Sequence, residues 1–257
     1  MPLLHVENMT HYFGGLRAVH NYNLAVEPGQ VRGLIGPNGA GKTTIFNLIT
    51  GIYRPTEGSI TLDGEPIVGL QPHEIASRGL GRTFQDLRLW RHMTVLEHVK
   101  MARYSTIGYG LVGAFFGTSR RHREEEAIER KALELMRMMR VDDVAEQRVT
   151  NLPYGAQRRV EMARALAMNP KILFLDEPTV GMTPGELNEM MDIIKQVRDD
   201  LGLAIFLIEH RLKMVMELCE VIQTLVFGEV IAEGSPEEIQ NNPDVIEAYL
   251  GKDTVET

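Results

Sequence analysis

The sequence is short of several things, and each shortage excludes something. It has one cysteine, Cys219, in 257 residues. A lone thiol cannot close an intramolecular disulfide, so disulfide-stapled secreted scaffolds are excluded. Cys219 lies in the apolar stretch from Val215 to Ile222, where a buried, unreactive thiol in a reducing compartment is expected. Long hydrophobic runs are also missing. No stretch approaches the ~20 apolar residues that a membrane-spanning helix needs. The longest weakly apolar segment, Ile107 to Gly117, is too short and rich in glycine. The first residues, Met1 to Glu7, lack a basic region followed by an apolar run, so no secretory signal is expected. There is no basic excess either. Lysine and arginine total 27 against 35 acidic residues, giving a net charge of −8. That balance counts against a nucleic-acid partner, whose phosphates call for positive charge. The expected location is therefore the cytosol, or a membrane reached only through partners. Internal repeats and low-complexity tracts are absent as well.

What is present is ordinary globular material, 44% apolar and 24% charged. The length exceeds one minimal domain, falls short of two large ones, and suffices to bury a sizeable core. Short apolar runs alternate with amphipathic stretches. Strands are predicted at Val31–Ile35, Ser59–Leu62, Lys171–Leu175, Ala204–Ile208 and Val221–Phe227. Asp63-Gly64 marks a turn after the second of these. Helices are predicted at Thr43–Ile49, Pro184–Leu201 and Arg211–Cys219. Alternation of this kind implies an α/β fold with a largely parallel sheet covered on both faces. The middle differs. Thr94–Ala102, Arg120–Met139 and Gly155–Met168 read as helices with no convincing strand among them. The run from Arg120 to Arg130 is almost wholly charged and reads as a solvated face. Two layers follow: an α/β core from residues 1–84 and 170–257, and a helical insert from 85–169.

The sharpest motif is Gly36-Pro37-Asn38-Gly39-Ala40-Gly41-Lys42-Thr43-Thr44, a phosphate-binding loop between a strand and a helix. Its glycines let the backbone curl so that several N–H groups converge on one anion. The helix that follows adds the positive end of its dipole. Lys42 can reach β- and γ-phosphates, and the Thr43 hydroxyl can ligate Mg²⁺. A chain of this length matches the pattern by accident roughly once in a hundred. Asp176 and Glu177 end the run Ile172–Leu175. A carboxylate at the carboxyl end of a buried strand can hold the metal through water, and its neighbour is free to polarise an attacking water. Nucleoside-triphosphate hydrolysis with ATP and Mg²⁺ is the chemistry these residues suit.

Three further segments occur in order: Arg82-Thr83-Phe84-Gln85, Leu152-Pro153-Tyr154-Gly155-Ala156-Gln157 and Leu207-Ile208-Glu209-His210. With the two motifs above, and from about Leu4 to Leu250, the chain resembles the ATPase cassette of ABC transporters. The resemblance implies a P-loop NTPase core with an N-terminal antiparallel β part and a helical subdomain ending in the signature motif. It implies roles too. Gly36, Asn38, Gly39, Gly41, Lys42, Thr43 and Thr44 would hold the nucleotide. Thr43, Gln85 and Asp176 would hold Mg²⁺. Glu177 would be the catalytic base, and His210 would read the γ-phosphate. Gly155 and Gln157 of the signature segment would face the nucleotide of a second cassette. Phe13 takes the place of the aromatic that stacks on adenine, with neighbouring Tyr12 or plain core packing of Phe13 as alternatives.

Finer features resemble the larger ATP-binding subunit of branched-chain amino-acid importers. They are His11–Val19, Phe46–Gly51, Arg82–Gln85, Leu152–Gly155 and Asn242–Gly251. That implies a second ATP-binding cassette, two transmembrane permease subunits and, indirectly, an extracytoplasmic substrate-binding protein. The chain itself would be peripheral, on the cytoplasmic face of the inner membrane. Alternatives are a soluble ABC-type ATPase of translation or DNA repair, and a regulatory cassette that binds ATP without hydrolysing it. Three departures bear on this. Pro153 and Tyr154 stand where the signature has serine and glycine. Thr183 stands at an aspartate position. Arg211 follows His210 where an acidic residue is usual.

Overall fold

The computed structural model describes residues 1–104 and 119–250. The segment Ile107–Gly117 and the last residue of the tail, Gly251, lie outside the described residues. In chain order the elements begin with β1 (Leu4–Phe13), β2 (Leu16–Val26), β3 (Val31–Ile35), α1 (Lys42–Ile49), β4 (Glu57–Leu62) and β5 (Glu65–Pro66). They continue with α2 (Pro72–Ser77), β6 (Leu80–Arg82), α3 (Val95–Tyr104), α4 (Ser119–Met138) and α5 (Tyr154–Ala167). The last third holds β7 (Ile172–Asp176), α6 (Pro184–Leu201), β8 (Ala204–Ile208), α7 (Leu212–Leu218), β9 (Val221–Val226) and β10 (Glu229–Gly234). Two short helices, α8 (Pro236–Gln240) and α9 (Pro243–Leu250), close the described chain.

The strands form two sheets. One is antiparallel, in the order β2-β1-β4-β5. Its β4–β5 hairpin turns at Asp63 and Gly64, with φ of 52° and 78°. Two consecutive positive φ values are what a two-residue hairpin of native twist requires, which is why Asp-Gly stands there. The other sheet runs β10-β9-β3-β8-β7-β6. It is parallel from β9 to β6, with β10 added antiparallel.

The parallel strands are unbroken apolar runs because both their faces are covered. Leu173, Leu175, Ile205 and Leu207 point to one face, into a core shared with α5 and α6. Ile172, Phe174, Phe206 and Ile208 point to the other, against α1 and the antiparallel sheet. There Phe46 of α1 meets Phe174 and Phe206 at ring-centroid distances of 4.6 and 5.0 Å. This contact fixes the helix that follows the phosphate loop onto the strand that ends in Asp176.

Helix α6 begins and ends where local chemistry dictates. Thr183 caps it in a reciprocal box with Glu186, Pro184 occupies the first turn, and Gly202 ends it at φ 61°. Between residues 85 and 169 the described residues hold helices, two short 3₁₀ turns and one isolated bridge, Thr94 to Arg148. Ile128, Ala132, Leu135 and Met136 form the buried stripe of α4, while Glu126, Glu129 and Arg130 face solvent. Strands β5, β6 and β10 were not foreseen, and of these β6 bears on the site. Its three residues, Leu-Gly-Arg, are too few and too mixed to show a period. It pairs with β7, Arg82 opposite Phe174, and delivers Arg82 to Gln85 to the strand ends.

Candidate active site

The phosphate loop leaves β3 at Gly36 and enters α1 at Lys42. A β-carbon on Gly36 (φ 150°) would lie 2.1 Å from the Leu225 carbonyl oxygen, and one on Gly41 (φ 107°) 2.8 Å from that of Ala18. Only glycine fits either place, because neighbouring backbone occupies the space a side chain would need. The loop is braced from behind by the β9–β10 turn, whose Gly228 N–H donates to Ala40 O at 2.8 Å. No side chain caps α1, so its first amides are open to an anion. Asn38, Gly39 and Thr43 are exposed on the loop, and Thr44 is half-buried. Lys42 is 6% exposed, and its Nζ donates to the carbonyls of Gly36 (2.7 Å) and Pro37 (3.0 Å). Burial holds its pKa below the ordinary lysine value, while Glu177 and Asp176 draw it back up.

Asp176 and Glu177 stand where β7 ends beside β8. The register pairs Asp176 with Ile208, and the Glu177 N–H continues the ladder to Ile208 O at 2.9 Å. Glu177 then adopts φ 48°, a left-handed conformation that costs a glutamate about 1 kcal/mol or more. The sheet imposes that strain, and the twist carries the carboxylate to two partners. Oε2 accepts from Gln85 Nε2 at 3.1 Å, and Oε1 lies 2.6 Å from His210 Nε2. Two residues from distant parts of the chain thus share one carboxylate.

Asp176 is 1% exposed. Its Oδ2 accepts from Arg82 Nη2 at 3.0 Å, and Arg82 also donates to Asn47 of α1 (2.8 Å) and to Thr50 at the C-cap of that helix (2.9 Å). Burial pushes the Asp176 pKa up, and the Arg82 guanidinium opposes the shift. Its other oxygen, Oδ1, is buried with no hydrogen-bond partner among the described residues. A buried carboxylate oxygen left over in this way calls for a cation or an ordered water. Thr43 adds a hydroxyl, and Gln85, its Nε2 engaged, retains its carbonyl oxygen. Oxygen donors of this kind suit Mg²⁺.

The loop bearing His210 is tied to residues 179–183. Buried Glu209 accepts from the Thr179 N–H (3.1 Å) and hydroxyl with one oxygen, and from the amides of His210 (3.0 Å) and Arg211 (3.2 Å) with the other. Arg211 donates to Met182 O at 2.9 Å, which gives this departure from the family pattern a role in bracing the same loop. Thr183 caps α6 where the pattern has aspartate.

The segment Leu152–Gln157 opens α5. Pro153 occupies the N-cap with φ −55°, and no side chain caps the first turn. Gln157 Nε2 turns back to Leu152 O at 2.9 Å, and Gly155 is buried against Glu186. Among the described residues, no hydrogen bond joins this segment to the phosphate loop of its own chain. Phe13 ends β1, 44% exposed and edge-on to His11 and Tyr53 at 4.6 and 5.3 Å. Tyr12 beside it is 40% exposed, so neither ring is core packing.

Four working residues escaped the sequence reading: Arg82, Arg158, Glu161 and Glu209. Charged side chains in helices and near strand ends read as solvent-facing, yet Arg158, Glu161 and Glu209 are at most 2% exposed. The spacing of Arg158 and Glu161, one helical turn apart, was the available signal.

Comparison with known proteins agrees in fold and sequence. The family model described as ABC transporter matches residues 19–180. A second, described as branched-chain amino acid ATP-binding cassette transporter, matches residues 229–254. The high-affinity branched-chain amino acid transport ATP-binding protein LivG of Escherichia coli K12 is 44% identical over 252 residues, 98% of each chain. A nucleotide-free ATP-binding cassette from an ABC transporter superposes with TM-score 0.84 at 32% identity, covering 98% of this chain and 100% of that one. A dimeric cassette in a post-hydrolysis state, bound to ADP and phosphate, gives TM-score 0.76 at 27% identity, covering 91% and 98%.

Proposed function

The chain belongs to the ABC transporter family of ATP-binding cassettes, and from that premise we propose that it powers uptake of branched-chain amino acids, hydrolysing ATP against a second cassette. The observation that carries the reading is the meeting of Gln85 and His210 on the two oxygens of Glu177, one residue beyond buried Asp176. A phosphate cradle alone would only bind. A carboxylate fixed at both oxygens beside that cradle can orient water for attack on a phosphoryl group.

Each residue then has a task. Gly36, Asn38, Gly39, Gly41 and Thr44 wrap the phosphates with backbone N–H groups. Lys42 exchanges two carbonyls for phosphate oxygens, which restores a counter-charge to its ammonium group. Thr43, Asp176 and Gln85 would hold Mg²⁺, which neutralises charge on the β- and γ-phosphate oxygens when bound. Glu177 accepts the water proton, and Gln85 and His210 fix which lone pair it offers. Positioning and electrostatics supply most of the rate. Phe13 offers the base an exposed ring. Gly155, Gln157 and the open first turn of α5 make no hydrogen bond to the phosphate loop of their own chain among the described residues, and their target is the nucleotide of the partner cassette. Residues 1–84 and 170–257 are the part that holds nucleotide, and residues 85–169 the part that presents the signature.

Among the described residues no helix is long and apolar enough to cross a membrane. The likeness to LivG supports two transmembrane permease subunits as partners, with an extracytoplasmic binding protein acting through them and this chain peripheral at the cytoplasmic face. We assign the permease to a groove of about 460 Å³ lined by Ile52, Ile75, Phe84, Trp90, Met101 and Met168. Trp90 there is 52% exposed, and Phe84 adjoins Gln85, so an occupant reaches the catalytic carboxylate through one residue. The cargo follows from the likeness to LivG and from the C-terminal match. The test is affinity purification from detergent-solubilised native membranes, with uptake of labelled leucine. Two integral-membrane subunits should co-purify, and uptake should fail in Lys42→Ala. Recovery of ribosomal or DNA-repair components in their place would contradict the reading.

A further inference from the structure

The backbone of Phe84 and Gln85 leaves β6 and loses the support of the sheet; its last ladder bond is Thr83 N–H to Phe174 O at 2.9 Å. One buried ion pair on α5 takes over. Arg158 Nη1 donates to Phe84 O (2.6 Å) and to Glu161 (3.1 Å), and Nη2 donates to Gln85 O. Glu161 in turn accepts from the Phe84 N–H at 3.3 Å. The remaining donors of Arg158 converge on Tyr154: Nη2 and Nε reach its hydroxyl at 2.7 and 3.1 Å. The planar fork of the guanidinium is therefore fully engaged, and a lysine could not reproduce it.

Tyr154 is the end of this assembly that can be reached from outside. It is 38% exposed and sits in the first turn of α5, within the signature segment. Its ring lies against Gly181, 3.4 Å from where a β-carbon would stand. The hydroxyl faces Arg158 while the ring touches the loop between β7 and α6. A shift of the signature segment must therefore move the guanidinium, and with it the Gln85 carbonyl.

We infer that Tyr154 and Arg158 are positioning residues for hydrolysis, a strut that sets Gln85 on Glu177 according to how the partner's nucleotide engages Leu152–Gln157. The inference rests on the proposed role of Glu177 as base. It gives Tyr154, a departure from the signature pattern, a use: the phenol supplies the link between signature and Gln85 that a glycine could not. The competing account is a static ion pair that merely fastens α5 to the end of β6.

Tyr154→Phe separates the two, since it keeps the ring on Gly181 and deletes only the hydroxyl. Steady-state ATPase of Tyr154→Phe, Gln85→Ala and the double variant forms a cycle. The strut predicts that Tyr154→Phe lowers kcat roughly 3- to 10-fold. It also predicts KM for ATP within about twofold of wild type, and a double variant no slower than Gln85→Ala alone. An unchanged kcat, or losses that multiply in the double variant, would overturn it. Arg158→Gln leaves buried Glu161 with only Arg164, at 3.9 Å, as its cation and so risks the fold. Hydrogen exchange of the intact Tyr154→Phe chain therefore serves as the second measurement. Exchange at Phe84 and Gln85 should rise while Lys42–Ile49 stays protected; no change at Phe84 and Gln85 would overturn the strut. Turnover that survives in Glu177→Gln would overturn the reading of the base instead, and the exchange result separates that failure from failure of the strut.

Discussion

Glu177 and Gln85 touch at 3.1 Å, yet they are placed by different means. Glu177 is set by a backbone ladder: β7 on β8, with a register that fixes Asp176 opposite Ile208 and leaves the next residue strained into the site. Gln85 is set by side chains, through Arg158 and Glu161 reaching across from α5. A ladder shares its load over many bonds and tolerates single substitutions. A clamp of one guanidinium and one carboxylate concentrates it. Within one active site, the half that does the chemistry is over-determined, and the half that reports on the partner hangs from a single node. An element that must move is built with fewer supports.

The predictions test that contrast, beginning with the largest effect. Phe174→Ala, in the strand that carries Asp176, should cost about 3–5 kcal/mol, because α1 and the sheet lose their common contact. Thermal unfolding would register it. A loss below ~1 kcal/mol would mean that the sheet half is not the rigid one. Next, Lys42→Ala removes the one cation inside the phosphate loop and should weaken ATP binding roughly 100-fold or more in calorimetry, with circular dichroism unchanged. Near-normal affinity would move the binding role elsewhere.

The pH dependence sharpens the comparison further, because each half buries a carboxylate whose pKa is raised. Burial raises Asp176 despite Arg82, and raises Glu161 despite Arg158. A raised carboxylate takes up its proton earlier on acidification, so the charge that Asp176 offers a cation is lost above the usual ~3.9 of an aspartate. Protonation relieves a buried charge and so does not by itself unfold the chain. ATPase should therefore fall about tenfold per pH unit on the acid side while the fold persists. In Glu161→Gln the limb should keep its position, which places it in the strand-end half of the site and not in the clamp. A limb that moves would assign it to the clamp. The smallest effect is Thr183→Ala, which removes the cap of α6 and should cost about 1 kcal/mol with kcat little changed. A large loss of turnover would show that Thr183 does more than cap.

The same contrast explains what the sequence disclosed. Features made by backbone were legible. Gly36 and Gly41 announce the loop because neighbouring carbonyls forbid any other residue, and Lys171–Leu175 and Ala204–Ile208 read as strands because both faces are apolar. Pro184–Leu201 was legible to the residue, since Thr183, Pro184 and Gly202 all signal its ends. Features made by side chains were not. Arg158 and Glu161 sit in a helix whose charges suggest solvent, and their burial follows only from where β6 ends. The three residues of β6 carry no period, so the element that brings Gln85 to Glu177 left no trace beyond the resemblance. Nothing in the spacing of Gln85, Glu177 and His210 indicates that they meet.

The account depends above all on Glu177 being the group that sets water on the γ-phosphoryl. The most direct measurement is single-turnover hydrolysis of γ-labelled ATP by wild type and Glu177→Gln, with equilibrium ATP binding measured in parallel. Hydrolysis should fall roughly 10²- to 10⁴-fold while affinity stays unchanged. Hydrolysis at the wild-type rate would contradict the account.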